Sequence, residues 1–78
     1  MIMFKRIRDL RNDKDISQRE LAAKLGMSQT GYSKYETGEN DVPTAILKEL
    51  ANLYNTSVDY ILGLTDERQP YKRASEGR

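Results

Sequence analysis

Apolar residues recur every three or four positions along the first 64 residues, in short groups separated by glycine, serine and other turn residues. This spacing places them on one face of an α-helix. It predicts five helices, at about residues 3–13, 18–25, 29–37, 45–54 and 58–62. Strict alternation of apolar and polar residues over four or more positions is absent, so no strand is predicted. The fold class is therefore predicted to be all-α.

Residues that favour helix ends stand at the predicted boundaries. Ser17 followed by Glu20 is a capping box, in which each side chain accepts a hydrogen bond from the other residue's backbone N–H. The predicted N-caps are Ser17, Ser28, Thr44 and Ser57, and the predicted left-handed residues at helix ends are Gly26, Gly38 and Asn55.

The predicted helix at residues 29–37 has two unlike faces. On a wheel of about 100° per residue, the small or polar side chains fall on one arc and the tyrosines on the other. The polar arc consists of Gln29, Thr30, Ser33 and Lys34, and Tyr32 and Tyr35 lie opposite. Such a helix can pack its rings on the domain and offer its polar arc to a DNA major groove. The wheel leaves open an ordinary amphipathic helix with a solvated polar face.

Arg11 projects from the apolar stripe of the first helix, because it lies four residues after Ile7 and seven after Phe4. A charge at such a position needs a partner or a path to water. Glu36, at the end of the third helix, is the predicted partner, and the pair would lock the first helix against the third. The alternative is that the Arg11 side chain simply extends to solvent.

Helix N-termini offer free N–H groups and a partial positive charge to phosphates. Gln18 follows the cap of the second helix, so it is predicted to contact a DNA phosphate. The start of the fourth helix, near Thr44, is predicted to contact another.

The net charge of the 78-residue chain is only +1, but its distribution is uneven. Residues 1–38 hold eight Lys/Arg and five Asp/Glu, whereas residues 39–67 hold one Lys and six acidic side chains. The positive half therefore coincides with the polar arc, as a phosphate-facing surface requires. Charge alone leaves open a chance clustering on an ordinary solvated surface.

Composition argues against several classes of function. The chain has no cysteine and no histidine, which excludes disulfides, the commonest zinc sites and thiol or imidazole catalysis. No apolar run approaches the roughly 20 residues of a membrane span, and no apolar signal core follows the N-terminus. We expect a cytoplasmic protein that is not an enzyme, needs no cofactor or metal, and has no evident small-molecule ligand.

The segment 17–38, which reads SQRELAAKLGMSQTGYSKYETG, resembles the signature of the Cro/phage-repressor type of helix-turn-helix, also called the xenobiotic-response-element family. The matching positions are Ser-Gln, Glu-Leu-Ala, Leu-Gly, Ser-Gln, Tyr-Glu and the closing Gly. Pro43, the pair of Leu50 and Ala51, and the segment 57–63 are similar to the family's fourth and fifth helices. The resemblance covers about residues 4–64.

The resemblance implies a compact five-helix, lambda-repressor-like DNA-binding domain, here residues 1–65, with its third helix in the major groove. The polar residues 66–78 are predicted to form a flexible C-terminal tail. The residues implied are base contacts from Gln29, Thr30 and Lys34, phosphate contacts near Gln18 and Ser33, and a structural pair of Arg11 with Glu36.

Members of this family usually bind operators as dimers. The expected function is thus a prokaryotic or phage transcriptional regulator, a repressor that acts as a homodimer on double-stranded DNA. Apolar candidates for the dimer surface are Val58, Ile61, Leu62 and Leu64, and the alternative is that these side chains cap the core. The alternative is a protein-interaction module of the same fold, an antitoxin or an anti-regulator, with which the acidic region 39–67 agrees.

Two features depart from the family's pattern. Gly31 lies inside the third helix, where glycine costs about 0.5–1 kcal/mol relative to alanine. It either lets the backbone approach the DNA closely or only loosens the helix. The loop of Glu39, Asn40 and Asp41 is acidic where basic residues would help to hold phosphates. Both features predict that a single domain binds DNA weakly and that function depends on pairing two of them.

Overall fold

The computed structural model describes residues 5–70 of the chain, and within this range it contains five α-helices and no strand. The helices are α1 (Lys5–Asp13), α2 (Gln18–Lys24), α3 (Gln29–Thr37), α4 (Thr44–Tyr54) and α5 (Val58–Ile61). The all-α prediction is confirmed. The predicted start of the first helix, and Phe4 with it, lie outside the described residues.

Three of the four predicted N-caps are confirmed. The hydroxyls of Ser17, Ser28 and Ser57 each accept a hydrogen bond from the backbone N–H three residues later. Glu20 completes the capping box, because its Oε1 accepts from the Ser17 N–H at 3.1 Å. These local bonds satisfy backbone donors that a helix start otherwise leaves unpaired.

The predicted cap at Thr44 is wrong. Pro43 is the N-cap of α4, with extended backbone angles and no side-chain cap hydrogen bond, and Thr44 is the first helical residue. The carbonyl of Pro43 accepts the first helical hydrogen bond, from the Leu47 N–H at 3.0 Å. An N-cap residue stands just before the helix, and Thr44 is already inside it. Thr44 therefore does not act as the cap of α4.

All five helices contribute to one hydrophobic core. The largest fully buried side chains are Ile7 and Leu10 of α1, Leu21 of α2, Tyr32 of α3, Leu50 of α4 and Ile61 of α5. Complete burial of each aliphatic side chain stabilises the fold by about 1.5–3 kcal/mol. The short α5 is thus a full member of the core, although it has only four residues.

The turn between α2 and α3 sets how these two helices meet. Ala22 is buried, and its carbonyl accepts from the Met27 N–H at 3.0 Å, which closes the turn onto the end of α2. Gly26 has a φ of 70°, in the left-handed region that glycine adopts without strain. A small residue at the crossing and a glycine in the turn let the two helices approach closely.

Arg6 of α1 holds the chain that follows α5. Its guanidinium donates to the carbonyls of Tyr60 and Thr65 and to a carboxylate oxygen of Asp66. It also lies over the Tyr60 ring, 4.1 Å from the ring centre. The predicted tail therefore begins, at Asp66, with a contact to α1. Residues 71–78 of the tail lie outside the described residues.

Within residues 5–70, no helix has the length and apolar character that crossing a membrane requires.

Candidate nucleic-acid interface

The two faces of α3 differ in exposure as the wheel predicts. Gln29 and Thr30 are exposed, and the side chain of Lys34 is 43% exposed. Tyr32 is fully buried, and Tyr35 is partly buried against the core. The two rings meet edge to face, with centres 6.2 Å apart. The rings therefore hold α3 against the domain while the polar arc faces solvent.

Gly31 lies where a side chain would crowd the start of α3. A Cβ built there would come within 3.2 Å of both the Met27 Cε and the Ser28 Oγ. The Ser28 hydroxyl is the cap of α3 and accepts from the Gly31 N–H at 3.0 Å. The absence of a Cβ at position 31 thus leaves room for the Ser28 cap. The stability that this cap contributes offsets part of the cost of a glycine inside the helix.

Glu36, at the inner side of α3, is the centre of a buried polar cluster. Its Oε2 accepts from Arg11 Nε at 2.7 Å and from the Tyr32 hydroxyl at 2.6 Å, while its Oε1 accepts from Arg11 Nη2 at 3.1 Å and from Gln18 Nε2 at 3.0 Å. Arg11 Nη1 also donates to the carbonyl of Ile16 at 3.0 Å. We call Arg11, Gln18, Tyr32 and Glu36 the Glu36 cluster. It joins α1, α2 and α3 at one carboxylate.

The hydrogen bonds of the Glu36 cluster outweigh the cost of burying its charge. Glu36 is only 4% exposed, and this burial would by itself raise the pKa of its carboxyl group. Donors on Arg11, Tyr32 and Gln18 instead hold that pKa below its ordinary value. The hydrogen bond to Glu36 raises the pKa of Arg11, so the cluster contains a charged pair at neutral pH.

The lowered pKa of Glu36 predicts how stability depends on pH. Its contribution is complete above the ordinary glutamate pKa of about 4.3 and is lost as the pH falls through the lower pKa of the folded state. The free energy of unfolding should therefore fall more steeply below pH ~4 in the natural protein than in Glu36→Gln. Urea denaturation between neutral and acid pH measures both slopes. Equal slopes of unfolding free energy against pH in the natural protein and in Glu36→Gln would contradict the prediction. Glu49→Gln, at an exposed position on α4, is the control and should keep the natural slope.

The structure brings Arg11 and Glu36 together, as the sequence predicts, but it places Gln18 differently from the expectation. Gln18 was expected at a phosphate, and its amide is half-buried and donates to Glu36. An amide nitrogen has two donors, so one remains for another partner.

Ser33 is half-exposed, with its hydroxyl donating to the Thr30 carbonyl at 3.0 Å. Thr44 is exposed at the first turn of α4. The contacts of these residues to DNA stay predictions.

Sequence reasoning missed two contacts of this surface. From the sequence, Tyr32 is expected only to pack. A tyrosine four residues before a glutamate lies on the same side of a helix, however, and this spacing indicates the hydrogen bond from Tyr32 to Glu36. The second is an ion pair between Lys34 Nζ and Glu39 Oε2, at 3.7 Å. The sequence shows that the loop after α3 is acidic, but it does not show that the chain turns back after Gly38.

Most of the chain matches the model of a known family. The family model described as "Helix-turn-helix" matches residues 7–61, which include α2, the turn and α3. The chain belongs to the helix-turn-helix family. The predicted family and its five-helix fold are thereby confirmed, and the exposed arc of this helix-turn-helix lies on its second helix, α3.

Several bacterial proteins are similar in sequence to this chain. YobD of Bacillus subtilis (strain 168), an uncharacterized HTH-type transcriptional regulator, is 43% identical over 65 residues, which are 83% of this chain and 58% of YobD. ImmR of the same organism, an HTH-type transcriptional regulator, is 40% identical over 63 residues, 81% of this chain and 50% of ImmR. The antitoxin PezA of Streptococcus pneumoniae serotype 4 (strain ATCC BAA-334 / TIGR4) is 34% identical over 59 residues, 76% of this chain and 37% of PezA.

The matched part of this chain thus corresponds to only part of each of these relatives. It spans about half the length of the first two. What the chain shares with them is the helix-turn-helix, and activities that depend on the rest of those proteins do not follow from the similarity.

Proposed function

We propose that this chain acts as a sequence-specific DNA-binding transcriptional regulator, a repressor that reads the major groove with α3 as a homodimer. The observation that carries the proposal is the division of α3. Its polar arc is exposed, while Tyr32 and Glu36 on its other side are buried in the core and in the Glu36 cluster. A helix held this firmly can present the same side chains to every duplex that it meets, which direct reading of base edges requires. The similarity to two proteins named as HTH-type transcriptional regulators supports it.

Three residues of the arc are suited to reading base edges. Gln29, the first residue of α3, can bind the N6 and N7 atoms of adenine with its amide. Lys34 can donate to the O6 and N7 atoms of guanine, and the methyl group of Thr30 can contact that of thymine. Gln29 and Thr30 are exposed, and neither belongs to the Glu36 cluster.

Contacts to phosphates would position the arc in the groove. Gln18 and Thr44 are the first residues of α2 and α4, where backbone N–H groups are unpaired and the helix dipole favours an anion. Ser33 belongs to the arc, and its hydroxyl would turn from the Thr30 carbonyl to donate to a phosphate. In this arrangement Arg11 and Glu36 touch no DNA and act as the brace that sets the angle of α3.

Selection of binding sites from a random duplex library tests this function. The natural protein should enrich one sequence, and a library that enriches none even at low salt would overturn the proposal. On the selected site, Gln29→Ala and Lys34→Ala should each weaken binding by about 1–3 kcal/mol and relax the preference at particular base pairs. Gln18→Ala should weaken all sequences about equally. Lys48→Ala, which removes an exposed charge from α4, is the matched control and should keep the sequence preference.

Pairing of two domains would compensate for the weak affinity that an acidic loop predicts. Leu62 and Leu64 are exposed near the end of α5, with Leu64 73% exposed, and they are candidates for the contact between copies. We propose residues 1–65 as the DNA-binding domain and residues 66–78 as a tail, whose first residue contacts α1 through Arg6. Such a regulator would act in the cytoplasm of a prokaryotic cell, and the proposal includes no catalysis, cofactor or small-molecule ligand.

A second candidate function is that of an antitoxin, in which the same fold binds a protein. The similarity to PezA, which is named an antitoxin, favours it. Salt dependence separates the two functions. A DNA regulator should lose affinity for duplex steeply as salt rises, and its specific site should compete with random DNA in excess.

A further inference from the structure

The acidic loop after α3 is joined to the very residue proposed to read guanine. Gly38 ends α3 with a φ of 83°, and the chain then turns back over its last turn. The carbonyl of Lys34 accepts from the Asn40 N–H at 3.1 Å and from the Thr37 hydroxyl at 3.2 Å. The same hydroxyl accepts from the Glu39 N–H at 3.3 Å. These three hydrogen bonds hold the backbone at position 39 beside Lys34.

The side chains at these two positions form an ion pair at the edge of the polar arc. Lys34 Nζ lies 3.7 Å from Glu39 Oε2, and both side chains are substantially exposed. Unlike the Glu36 cluster, this pair stabilises the fold little, because solvent screens exposed charges. Its position on the DNA-facing surface gives it a consequence for binding.

We propose that Glu39 is a specificity-determining residue that acts as an internal counter-ion of Lys34 and suppresses binding to arbitrary DNA. The inference rests on the proposed function and adds a residue to it. In the unbound protein the carboxylate of Glu39 offsets part of the positive charge of the Lys34 ammonium group, so a phosphate meets a weaker positive charge there.

The two kinds of acceptor on DNA differ in how they combine with this carboxylate. An ammonium group has three donors, so Lys34 can keep Glu39 and still donate to guanine O6 and N7, which carry no net charge. A phosphate carries a full negative charge and would be repelled by Glu39 near the same ammonium group. Glu39 therefore disfavours a phosphate as the partner of Lys34 more than it disfavours a base edge.

The test is a double-mutant cycle of Glu39→Gln and Lys34→Met, measured on the selected site and on a random duplex at several salt concentrations. Glu39→Gln should bind random DNA roughly two- to five-fold more tightly, which is the range expected for release of one exposed ion pair. It should gain less on the selected site, so the specificity ratio falls. The slope of log affinity against log salt for random DNA should steepen by about 0.9, because Lys34 then displaces one more counter-ion.

Two controls make the result decisive. Glu49→Gln on α4 changes the net charge equally at an exposed position far along the chain from α3, and it should leave the slope unchanged. In the Lys34→Met background, Glu39→Gln should have no greater effect than Glu49→Gln. The inference is overturned if Glu39→Gln and Glu49→Gln act alike, or if the effect of Glu39→Gln persists without Lys34.

Failure of the inference is distinguishable from failure of the proposed function. If the library enriches a sequence and Lys34→Met relaxes its selection, while Glu39→Gln leaves the specificity ratio and the slope unchanged, only the role of Glu39 is refuted. If no sequence is enriched by the natural protein, the function itself fails. Circular dichroism of each variant should show unchanged folding, because both residues are exposed and lie outside the core.

Discussion

Glu36→Ala is expected to lower the free energy of unfolding by about 3–5 kcal/mol, because it leaves the Arg11 charge almost buried without its partner. The Arg11 side chain is 13% exposed, and two of its three guanidinium nitrogens donate to this carboxylate. Gln18 and Tyr32 lose their acceptor at the same time. Since small domains are stable by only about 5–15 kcal/mol, this single change removes much of the total. Urea denaturation at neutral pH measures the loss.

The control for this prediction removes both charges instead of one. Replacing Arg11 and Glu36 together by methionine should cost less than Glu36→Ala, because no unpaired charge then remains in the interior. Glu20→Ala removes an exposed carboxylate from the capping box and should cost only about 0.5–1.5 kcal/mol, the contribution of one hydrogen bond. A loss of less than 1 kcal/mol for Glu36→Ala would show that the Glu36 cluster does not brace the helices.

Tyr32→Ala is the second large effect, with an expected loss of about 3–5 kcal/mol in the free energy of unfolding. The ring of Tyr32 is fully buried, so its removal leaves a cavity beneath the middle of α3. Tyr32→Phe keeps the ring and removes only the hydrogen bond to Glu36, which should cost about 1.5–3 kcal/mol because the acceptor is charged. Thermal or urea unfolding compares the two variants.

The order of these two variants decides what Tyr32 does. If Phe is nearly as costly as Ala, the hydroxyl is the more important part and the ring contributes little to holding α3. If neither variant changes stability, the buried side of α3 does not anchor the helix. DNA affinity of the phenylalanine variant should stay close to natural, because the polar arc remains in place.

Local signals in the sequence were sufficient for most of the fold. A serine cap, a capping box and a left-handed glycine each act within four residues, so Ser17, Ser28 and Gly38 could be interpreted without knowledge of the tertiary structure. The apolar spacing likewise predicts which side of α3 is buried. Arg11 was predictable for a different reason, since a charge on an apolar stripe requires a partner.

Contacts between distant residues that no unpaired charge on an apolar stripe indicates were not predictable. Arg6 reaches carbonyls that lie 54 and 59 residues away in sequence, and no local pattern indicates such a contact. The destination of Gln18 was missed for the same reason, because Glu36 is 18 residues later. At Thr44 the local cap signal was wrong, because the helix includes the threonine and the carbonyl of Pro43 accepts its first hydrogen bond.

The separation of the two sides of α3 has a consequence for how such a protein can acquire a new binding site. Gln29 and Thr30, which we propose contact base edges, are exposed, so they can be exchanged for other side chains with little effect on the core. Lys34 is the exception, because its charge is matched by Glu39 and the two positions would have to change together. In protein engineering, the exposed side chains of α3 can therefore be replaced while the buried side of the helix is kept, and Lys34 and Glu39 should be replaced as a pair.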